Sequence, residues 1–391
     1  MPRHRSIALA AVAVSVCAAL LPRAGAAQGA LSVQGFGYPT GQLSTRAIGT
    51  AGALGEFDPS SPINPAQVSY YVRPTIGVQY DPEFRTVDVS GRSEGATVAR
   101  FPVFAVGLPA RRLRIGLSAS SFLDRTFSTT FQSTRTFDGV PVGTTEALDV
   151  RGAITDVRLA VAGPLGNRVR VGVAGHVFTG ENRVLTTRTF DDPTRFAGIE
   201  ETTAVDFRGS AVSAGVEVTP LRGLSLAGSY RLGQGIDATR RDTTVRSATV
   251  PDRYGVAVRL DRVSGASFAA SWARTRWSDM ASLGGSTLRA TDGDELRAGV
   301  EAVGPKLGDY PVLLRLGAAQ RDLPFGLGER DVRETTYGGG FGVPFSGGRA
   351  MIDLGLQRAS RSLQGAVSGA ADAFTARERA WQLSIGLTLR P

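Results

Sequence analysis

Cysteine and histidine are almost missing from this sequence of 391 residues, which contains 1 cysteine, Cys17, and 2 histidines, His4 and His176. Cys17 and His4 fall in a leading stretch that we expect to be cleaved off. The remaining chain then has no disulfide or thiolate chemistry, and a single imidazole for general-base catalysis or metal binding. We therefore expect no enzyme activity, no cofactor and no metal site.

Long apolar runs are also missing, except at the start of the chain. Residues 1–27 combine Arg3 and Arg5, an apolar run from Ile7 to Leu21 and a small-residue site at residues 24–27, which predicts a cleaved signal peptide. The run is shorter than the roughly 20 apolar residues that a spanning helix needs. We expect an exported protein, either soluble or a barrel in the bacterial outer membrane.

Lysine is scarce too, and Lys306 is the only one, so the net charge of +9 comes from arginine. The arginines form no long basic run, and they alternate with Asp, Thr and Gly along strand-like segments. We interpret them as charges of a barrel lumen and its loops. No nucleic-acid partner is expected.

What the chain does contain is alternation of apolar with polar or glycine residues. The last segment shows it at Trp381, Leu383, Ile385, Leu387 and Leu389. This period of two predicts β-strands with one apolar face, which in a membrane barrel faces lipid. Strands are predicted near residues 75–88, 97–108, 112–127, 146–162, 168–180, 203–219, 223–234, 249–261, 264–277, 292–303, 311–321, 333–344, 348–361 and 377–390.

The predicted connections alternate in length. Short links follow every second strand, whereas the other links are long and polar, as at residues 137–145, 181–202, 235–248, 278–291 and 362–376. A β-sandwich gives no reason for this alternation. The pattern predicts an all-β fold, a transmembrane antiparallel up-and-down β-barrel of about 14 strands. Aromatic residues at the long-loop ends predict an interfacial belt of Tyr80, Tyr230, Tyr254, Trp272, Tyr337 and Trp381.

An irregular segment precedes the barrel pattern. Leu43 to Val72 holds a run of glycine and alanine followed by three prolines, which prevents regular strand pairing. We expect residues 28–74 to form a hatch that plugs the lumen, and residues 75–391 to form the barrel. The glycine cluster at residues 338–342 predicts a place where the plug or a neighbouring strand comes close.

The same segment resembles a known family. Arg46-Ala47-x-Gly49, an acidic turn and Asn64-Pro65-Ala66 are similar to the N-terminal hatch of FadL-type outer-membrane transporters of hydrophobic compounds. The resemblance implies a hydrophobic ligand that is collected among outer loops and held in a lumen pocket beside the hatch. It leaves when the hatch shifts, or through a gap in the wall. Asn64, Pro65 and Ala66 are the implied gating or ligand-binding residues.

Other candidates come from strand parity. Phe122, Phe178, His176, Arg114 and Arg170 are predicted to face the lumen and to line a pocket. The two arginines would meet a ligand carboxylate or, more simply, pair with acids inside the barrel. His176 is the only available base for a hydrolase, and the simpler interpretation is a hydrogen-bonded lumen histidine.

These observations predict a passive transporter of hydrophobic small molecules, fatty-acid-like or aromatic, in the bacterial outer membrane. Its partners would be outer-membrane lipid, lipopolysaccharide and the outer-membrane barrel assembly machinery. Two alternatives remain open at this point. PorV-like relatives share the barrel and serve protein secretion as shuttles or scaffolds, and a general porin would lack a filled lumen.

Overall fold

A computed structural model describes residues 36–391 apart from residues 90–91, 101–102, 138–139, 264, 285–289, 309, 328–329 and 365–375. The predicted signal peptide and the first residues of the predicted hatch lie outside the described part. Most of the described chain is antiparallel β-structure in one sheet.

The described residues form 18 strands, a first group of nine before residue 222 and a second group of nine after it. The first group is β1 (Tyr38–Pro39), β2 (Thr75–Val89), β3 (Arg92–Arg100), β4 (Val103–Ala110), β5 (Leu113–Asp124), β6 (Phe127–Phe137), β7 (Val140–Leu165), β8 (Val169–Phe190) and β9 (Ile199–Leu221). The second is β10 (Leu224–Arg240), β11 (Thr243–Thr249), β12 (Arg253–Val263), β13 (Ala266–Thr275), β14 (Gly293–Leu307), β15 (Tyr310–Leu327), β16 (Arg330–Phe345), β17 (Ala350–Gln364) and β18 (Ala376–Leu389).

Helices are few and short in the described chain. Helix α1 spans Thr45–Gly49, and the 3-10 helices span Gly55–Phe57, Pro65–Tyr70, Trp277–Leu283 and Ser346–Gly348. Among the described residues no helix has the length and apolar character needed to cross a bilayer.

The sheet closes on itself because the last strand pairs with the first wall strand, with Ile385 opposite Tyr80. Three wall strands are each divided in two. These are β3 with β4, β5 with β6, and β11 with β12, and both parts of each pair the same neighbour. Strand β1 belongs to the segment before the wall, which leaves a closed barrel of 14 strands. The predicted fold and strand count are confirmed.

Side chains alternate across the wall as the period of two predicts. On β5, Leu113, Ile115 and Leu117 are exposed on the outside, whereas Ser118 and Ser120 are buried inside. The same outward apolar face recurs on the other strands, and together these faces form a continuous apolar outer surface. Such a surface suits lipid, since soluble monomers rarely expose apolar patches of this extent.

Three of the five predicted long loops, at residues 137–145, 181–202 and 235–248, are largely strand instead. Residues 278–291 begin in a 3-10 helix, and most of residues 362–376 lie outside the described part. Strand β8 continues to Phe190 before β9 begins at Ile199, and β10 continues to Arg240 before β11 begins at Thr243. Strand β7 has 26 residues, far more than the roughly 9–11 needed to cross a bilayer. Polar residues do not stop a ladder of backbone hydrogen bonds, so the strands extend beyond the lipid. The alternating apolar pattern therefore identifies the part of each strand that crosses the membrane, and it does not show where the strand ends.

Residues 36–72, which we call the inner segment, lie inside the barrel. Helix α1 contacts β15–β18, the 3-10 helix Gly55–Phe57 contacts β10 and β12, and the 3-10 helix Pro65–Tyr70 contacts β5 and β7–β9. Contacts on all sides of the ring place this stretch across the lumen.

Glycines of the wall make room for the backbone of the inner segment. A Cβ on Gly317 would lie 2.2 Å from the carbonyl oxygen of Thr50, and one on Gly172 would lie 2.5 Å from the backbone of Pro65. A Cβ on Gly338 would lie 2.7 Å from the carbonyl oxygen of Ile48, so the close approach predicted at the glycine cluster is confirmed.

Candidate functional site

Asn64 joins the inner segment to the wall. Its Nδ2 donates to the carbonyl oxygen of Glu56 at 3.2 Å and to that of Val216, on the wall strand β9, at 3.4 Å. Its Oδ1 accepts from the backbone N–H of Ala66 at 3.0 Å, which caps the 3-10 helix that follows. The side chain is fully buried, and one amide therefore holds two parts of the segment and one wall strand together.

Pro65 and Ala66 continue this contact. Pro65 occupies the first position of its helix, where the missing N–H is no loss, and it packs against Gly172 of β8. Ala66 is fully buried between helix and wall. The three residues carried by the family resemblance thus lie together at one point of contact, although their gating role stays a prediction.

An ion network surrounds Tyr38 on one side of the lumen. Its six charged members come from β2 and β15–β18, and they are Glu83, Arg85, Arg321, Glu334, Arg361 and Glu378. Arg361 Nε lies 2.5 Å from Glu334, and its Nη2 donates to the Tyr38 hydroxyl at 2.7 Å. That hydroxyl donates to Glu334 Oε2 at 2.9 Å. Buried charges require such partners, so this network fixes the start of the inner segment.

Arg46 makes a second charged link. Its Nε and Nη2 donate to the two oxygens of Glu301 at 2.9 and 2.6 Å, a bidentate pair. Arg315 also reaches Glu301, at 2.8 Å, and Asp353 at 2.6 Å. The arginine of the family-like motif therefore ties α1 to β14 through a shared carboxylate.

The opposite side of the lumen carries a large apolar group beside the buried cation of Arg231, whose guanidinium carbon lies 5.0 Å from the ring centroid of Phe122. Buried residues there form one group, which we call the apolar cluster: Phe36, Phe122, Leu123, Ile154, Phe178, Phe207, Ala211, Ile236, Ala238, Val250, Trp277, Met280 and Leu283. The rings of Phe122 and Phe178 meet edge to face with centroids 4.9 Å apart. Trp277 stacks on Phe122 at 5.6 Å and on Phe36 at 5.8 Å.

Phe122 and Phe178 are buried in this cluster, and their role in lining a pocket stays a prediction. Phe36 and Trp277 are further members that the sequence analysis did not identify. Phe36 precedes the stretch that carries recognisable motifs, and Trp277 ends a predicted strand whose next residues read as loop. The run of apolar residues Met280 and Leu283 after Trp277, at helical spacing, is the signal that could have indicated an inward-packing turn.

His176 is the centre of a hydrogen-bonded chain. Its Nδ1 lies 2.9 Å from Asp156 Oδ1 and its Nε2 lies 2.8 Å from Ser213 Oγ. Gln42 of the inner segment donates to the same carboxylate at 2.9 Å and to Ser120 at 2.7 Å. The sequence offered no partner serine, because Asp156, His176 and Ser213 come together only through strand register.

The order Asp156–His176–Ser213 is that of a hydrolase triad, but its surroundings differ. Ser213 is paired with Ala174 on one side and Arg231 on the other, so the backbone N–H groups near it belong to the ladder. The backbone beside Ser213 therefore offers no free donor of the kind that stabilises an oxyanion. The arrangement is suited to holding Gln42.

The two candidate arginines have separate places. Arg114 donates to the carbonyl oxygens of Arg111 and Leu113, at 2.9 Å each, beside the turn before β5. It is about 27 Å along that strand from Phe122, so it does not join the apolar cluster. The guanidinium carbon of Arg170 lies 4.4 Å from the ring centroid of Tyr70, and its Nη1 lies 4.0 Å from Glu217 Oε1.

Tyr70 carries the inner-segment side of that contact. Its hydroxyl donates to Glu217 Oε1 at 2.7 Å, and Gln67 donates to the other oxygen at 2.8 Å. Burial raises the pKa of Tyr70 to about 12, so the hydroxyl keeps its proton and remains a donor.

Space remains on both faces of the inner segment. A cavity of about 600 Å³ lies at the short-turn end of the barrel, and its lining includes Arg46, Tyr71, Arg315, Met351 and Arg390. A much smaller one of about 40 Å³ adjoins the apolar cluster. The small cavity is lined in part by Gln42, Phe122, His176, Ser213 and Trp277. The segment thus separates a small cavity beside the apolar cluster from a larger one at the short-turn end.

The described chain shows no group of three or more His, Cys, Asp or Glu side chains arranged to hold a metal ion.

Solved structures of outer-membrane channels share this architecture. A FadL homologue from Pseudomonas aeruginosa aligns with a TM-score of 0.59 and 12% identity over 90% of this chain and 99% of its own. The chain has the fold of FadL-type channels. CymD, a monoaromatic hydrocarbon channel, aligns with a TM-score of 0.54 and 13% identity over 93% and 99% of the two chains.

A third FadL-type structure, the toluene transporter TodX from Pseudomonas putida, aligns with a TM-score of 0.54 and 13% identity over 91% of this chain and 98% of its own. No protein-family profile and no curated protein matches the sequence. At such identities the FadL-type likeness concerns the fold, and the ligand must be argued from the lumen itself.

Proposed function

We propose that this chain is a passive transporter of hydrophobic small molecules, fatty-acid-like or aromatic, in the bacterial outer membrane. The observation that carries the proposal is the apolar cluster, which is a large group of aromatic and aliphatic side chains buried inside a barrel whose lumen also holds many charges and hydrogen-bonding groups. Apolar side chains inside a barrel have no lipid to face. Such surface is suited to a hydrophobic ligand.

The inner segment is the hatch of this transporter, the described part of residues 28–74. A ligand enters from the extended-strand end, rests on Phe122, Phe178 and Trp277, and passes the hatch near Asn64. It then reaches the 600 Å³ cavity at the short-turn end. Short turns face the periplasm in outer-membrane barrels, so this route leads inward.

The names of the solved structures support the same ligand class. TodX is described as a toluene transporter and CymD as a monoaromatic hydrocarbon channel. Residues 1–27 would direct export and be removed, and assembly would then require the outer-membrane barrel machinery. Lipid and lipopolysaccharide would surround the exposed apolar face.

Ligand binding and uptake test the proposal together. The purified full chain is examined by native mass spectrometry for a bound acyl or aromatic molecule, and cells lacking their own channel are tested for uptake of toluene and a long-chain fatty acid. Phe122→Ala and Phe178→Ala should reduce uptake several-fold. Phe268→Ala, on the lipid face and 46% exposed, is the matched control and should leave uptake unchanged.

An equal loss of uptake in all three variants would contradict the proposal. Absence of uptake in the wild-type protein would contradict it too. The alternatives give different results. A large steady conductance of the intact protein would indicate a porin, which the filled lumen disfavours. Co-purification of a secretion apparatus without bound lipid would indicate a shuttle or scaffold.

A further inference from the structure

The end of the barrel with short turns, which we call the short-turn rim, is strongly cationic. Exposed basic residues at or beside the turns and chain ends there are Arg73, Arg111, Arg112, Arg168, Arg222, Lys306, Arg349 and Arg390. Asp261, an acid among the described residues of this rim, already pairs with Arg259 at 3.1 Å. The rim therefore presents a ring of positive charge with little to neutralise it.

The opposite end of the wall is different. Many arginines there pair with acids on the same or neighbouring strands, as in Arg151 with Asp149, Arg183 with Glu181, Arg188 with Glu146, Arg333 with Asp322 and Arg379 with Asp88. Others, such as Arg208, Arg240 and Arg241, have acids close by in the chain at Asp206, Asp237 and Asp242. None of the cations named at the short-turn rim is in an ion pair with a described residue. Acids are thus interspersed with the cations at the opposite end of the wall, whereas the short-turn rim keeps an excess of positive charge.

The ring lies at the edge of the lipid-facing surface. Leu113, Leu165, Leu221 and Leu307 are 51%, 66%, 67% and 65% exposed, and each lies within a few residues of a rim cation. Long basic side chains beside such leucines reach the depth at which phospholipid phosphates lie. All but one of the cations are arginine, whose planar guanidinium binds phosphate through two hydrogen bonds.

We propose that the short-turn rim binds the phosphate groups of anionic phospholipids in the leaflet that faces the periplasm. The negative surface of such a leaflet attracts clustered arginines, and bidentate contacts would fix the depth of the barrel. The proposal requires that the barrel cross a membrane, but not that any particular molecule pass through it.

Competition between two lipids tests the proposal. The purified full chain is mixed with equal amounts of phosphatidylglycerol and phosphatidylcholine, and the lipids it retains are counted by native mass spectrometry. The rim variant carries Arg111→Gln, Arg168→Gln, Arg222→Gln and Arg349→Gln. The matched control carries Arg151→Gln, Arg183→Gln, Arg333→Gln and Arg379→Gln, which removes the same charge from the other end.

Wild type and control should retain phosphatidylglycerol in preference, and the rim variant should lose roughly tenfold in that preference. Salt at about 0.5 M should weaken the preference of wild type, since exposed charges are screened, and this measurement needs no variant to fold. Equal retention of the two lipids by wild type, or an unchanged preference in the folded rim variant, would overturn the proposal. Uptake assays are read separately, so failure here is distinguishable from failure of the transport proposal.

Discussion

Two arcs of the wall hold the inner segment in different ways. Along β15–β18 and β2, Tyr38 of the segment meets the ion network. Along β5 and β7–β10, Phe36 joins the apolar cluster, and Gln42 and Asn64 add hydrogen bonds to the wall. Removing one partner of a buried charge costs the folded protein several kcal/mol. Apolar contacts are non-directional, and they weaken gradually as the side chains move apart. The charged arc therefore anchors the segment. The apolar arc is the side that we expect to yield to a hydrophobic ligand.

Removing a shared cation from the charged arc should lower the stability of the protein most. Arg361→Met leaves Glu83, Glu334 and Glu378 buried without their shared cation, and it should lower the free energy of unfolding by ~3–5 kcal/mol. Denaturant unfolding in detergent measures it. Arg379→Met is the matched control, because its side chain is 52% exposed and its pair with Asp88 is on the surface. Equal effects of the two variants would show that the network does not anchor the segment.

The next effect concerns how closely α1 packs on the charged arc. Gly317→Ala puts a methyl group 2.2 Å from the carbonyl oxygen of Thr50, so the helix must move and the free energy of unfolding should fall by ~1–3 kcal/mol. Single-channel conductance should rise as the segment is displaced. Gly175→Ala meets nothing within 4 Å and should change neither quantity. An unchanged conductance in a folded Gly317→Ala protein would argue against a hatch held by backbone contact.

A smaller effect is expected at Asn64, where the inner segment meets β9. Asn64→Ala removes the link to Val216 and the cap of the following helix, at ~1 kcal/mol for a hydrogen bond and a similar amount for the cap. Hydrogen exchange of the amides of residues 65–70 should speed up while the wall strands stay protected. Protection unchanged at these amides would mean that Asn64 does not hold the segment.

The smallest effect is expected on the apolar arc at Ser213. Ser213→Ala removes one hydrogen bond to His176, with ~1 kcal/mol or less on unfolding, and it should not change the rate at which a chromogenic ester is hydrolysed. His176→Ala serves as the parallel variant. A wild-type esterase activity that disappears in both variants would instead show that the Asp156–His176–Ser213 chain is catalytic.

Much of the wall could be predicted from the sequence. The alternation at Leu113, Ile115 and Leu117 identifies both a strand and its outer face, because lipid on one side and polar groups on the other impose a period of two. Strand ends were less predictable. Polar residues beyond the membrane, such as those up to Phe190, continue the ladder because backbone hydrogen bonds do not depend on side-chain polarity.

The candidate site was predictable only in part. Asn64-Pro65-Ala66 and the lumen parity of Phe122 and Phe178 follow from motif and alternation. The chain Asp156–His176–Ser213 does not, since it depends on the register of three neighbouring strands.

By itself, then, the sequence determined three features: the alternation of side chains along the wall strands, the apolar outer face, and a glycine-rich segment that cannot pair as a regular strand. Only the tertiary structure decided what that segment touches. Tyr38 and Glu334 are 296 residues apart, and closure of the ring brings them together. No local pattern encodes such a pair, because its partners are chosen by the register of the closed barrel and by the need of each buried charge for a neighbour.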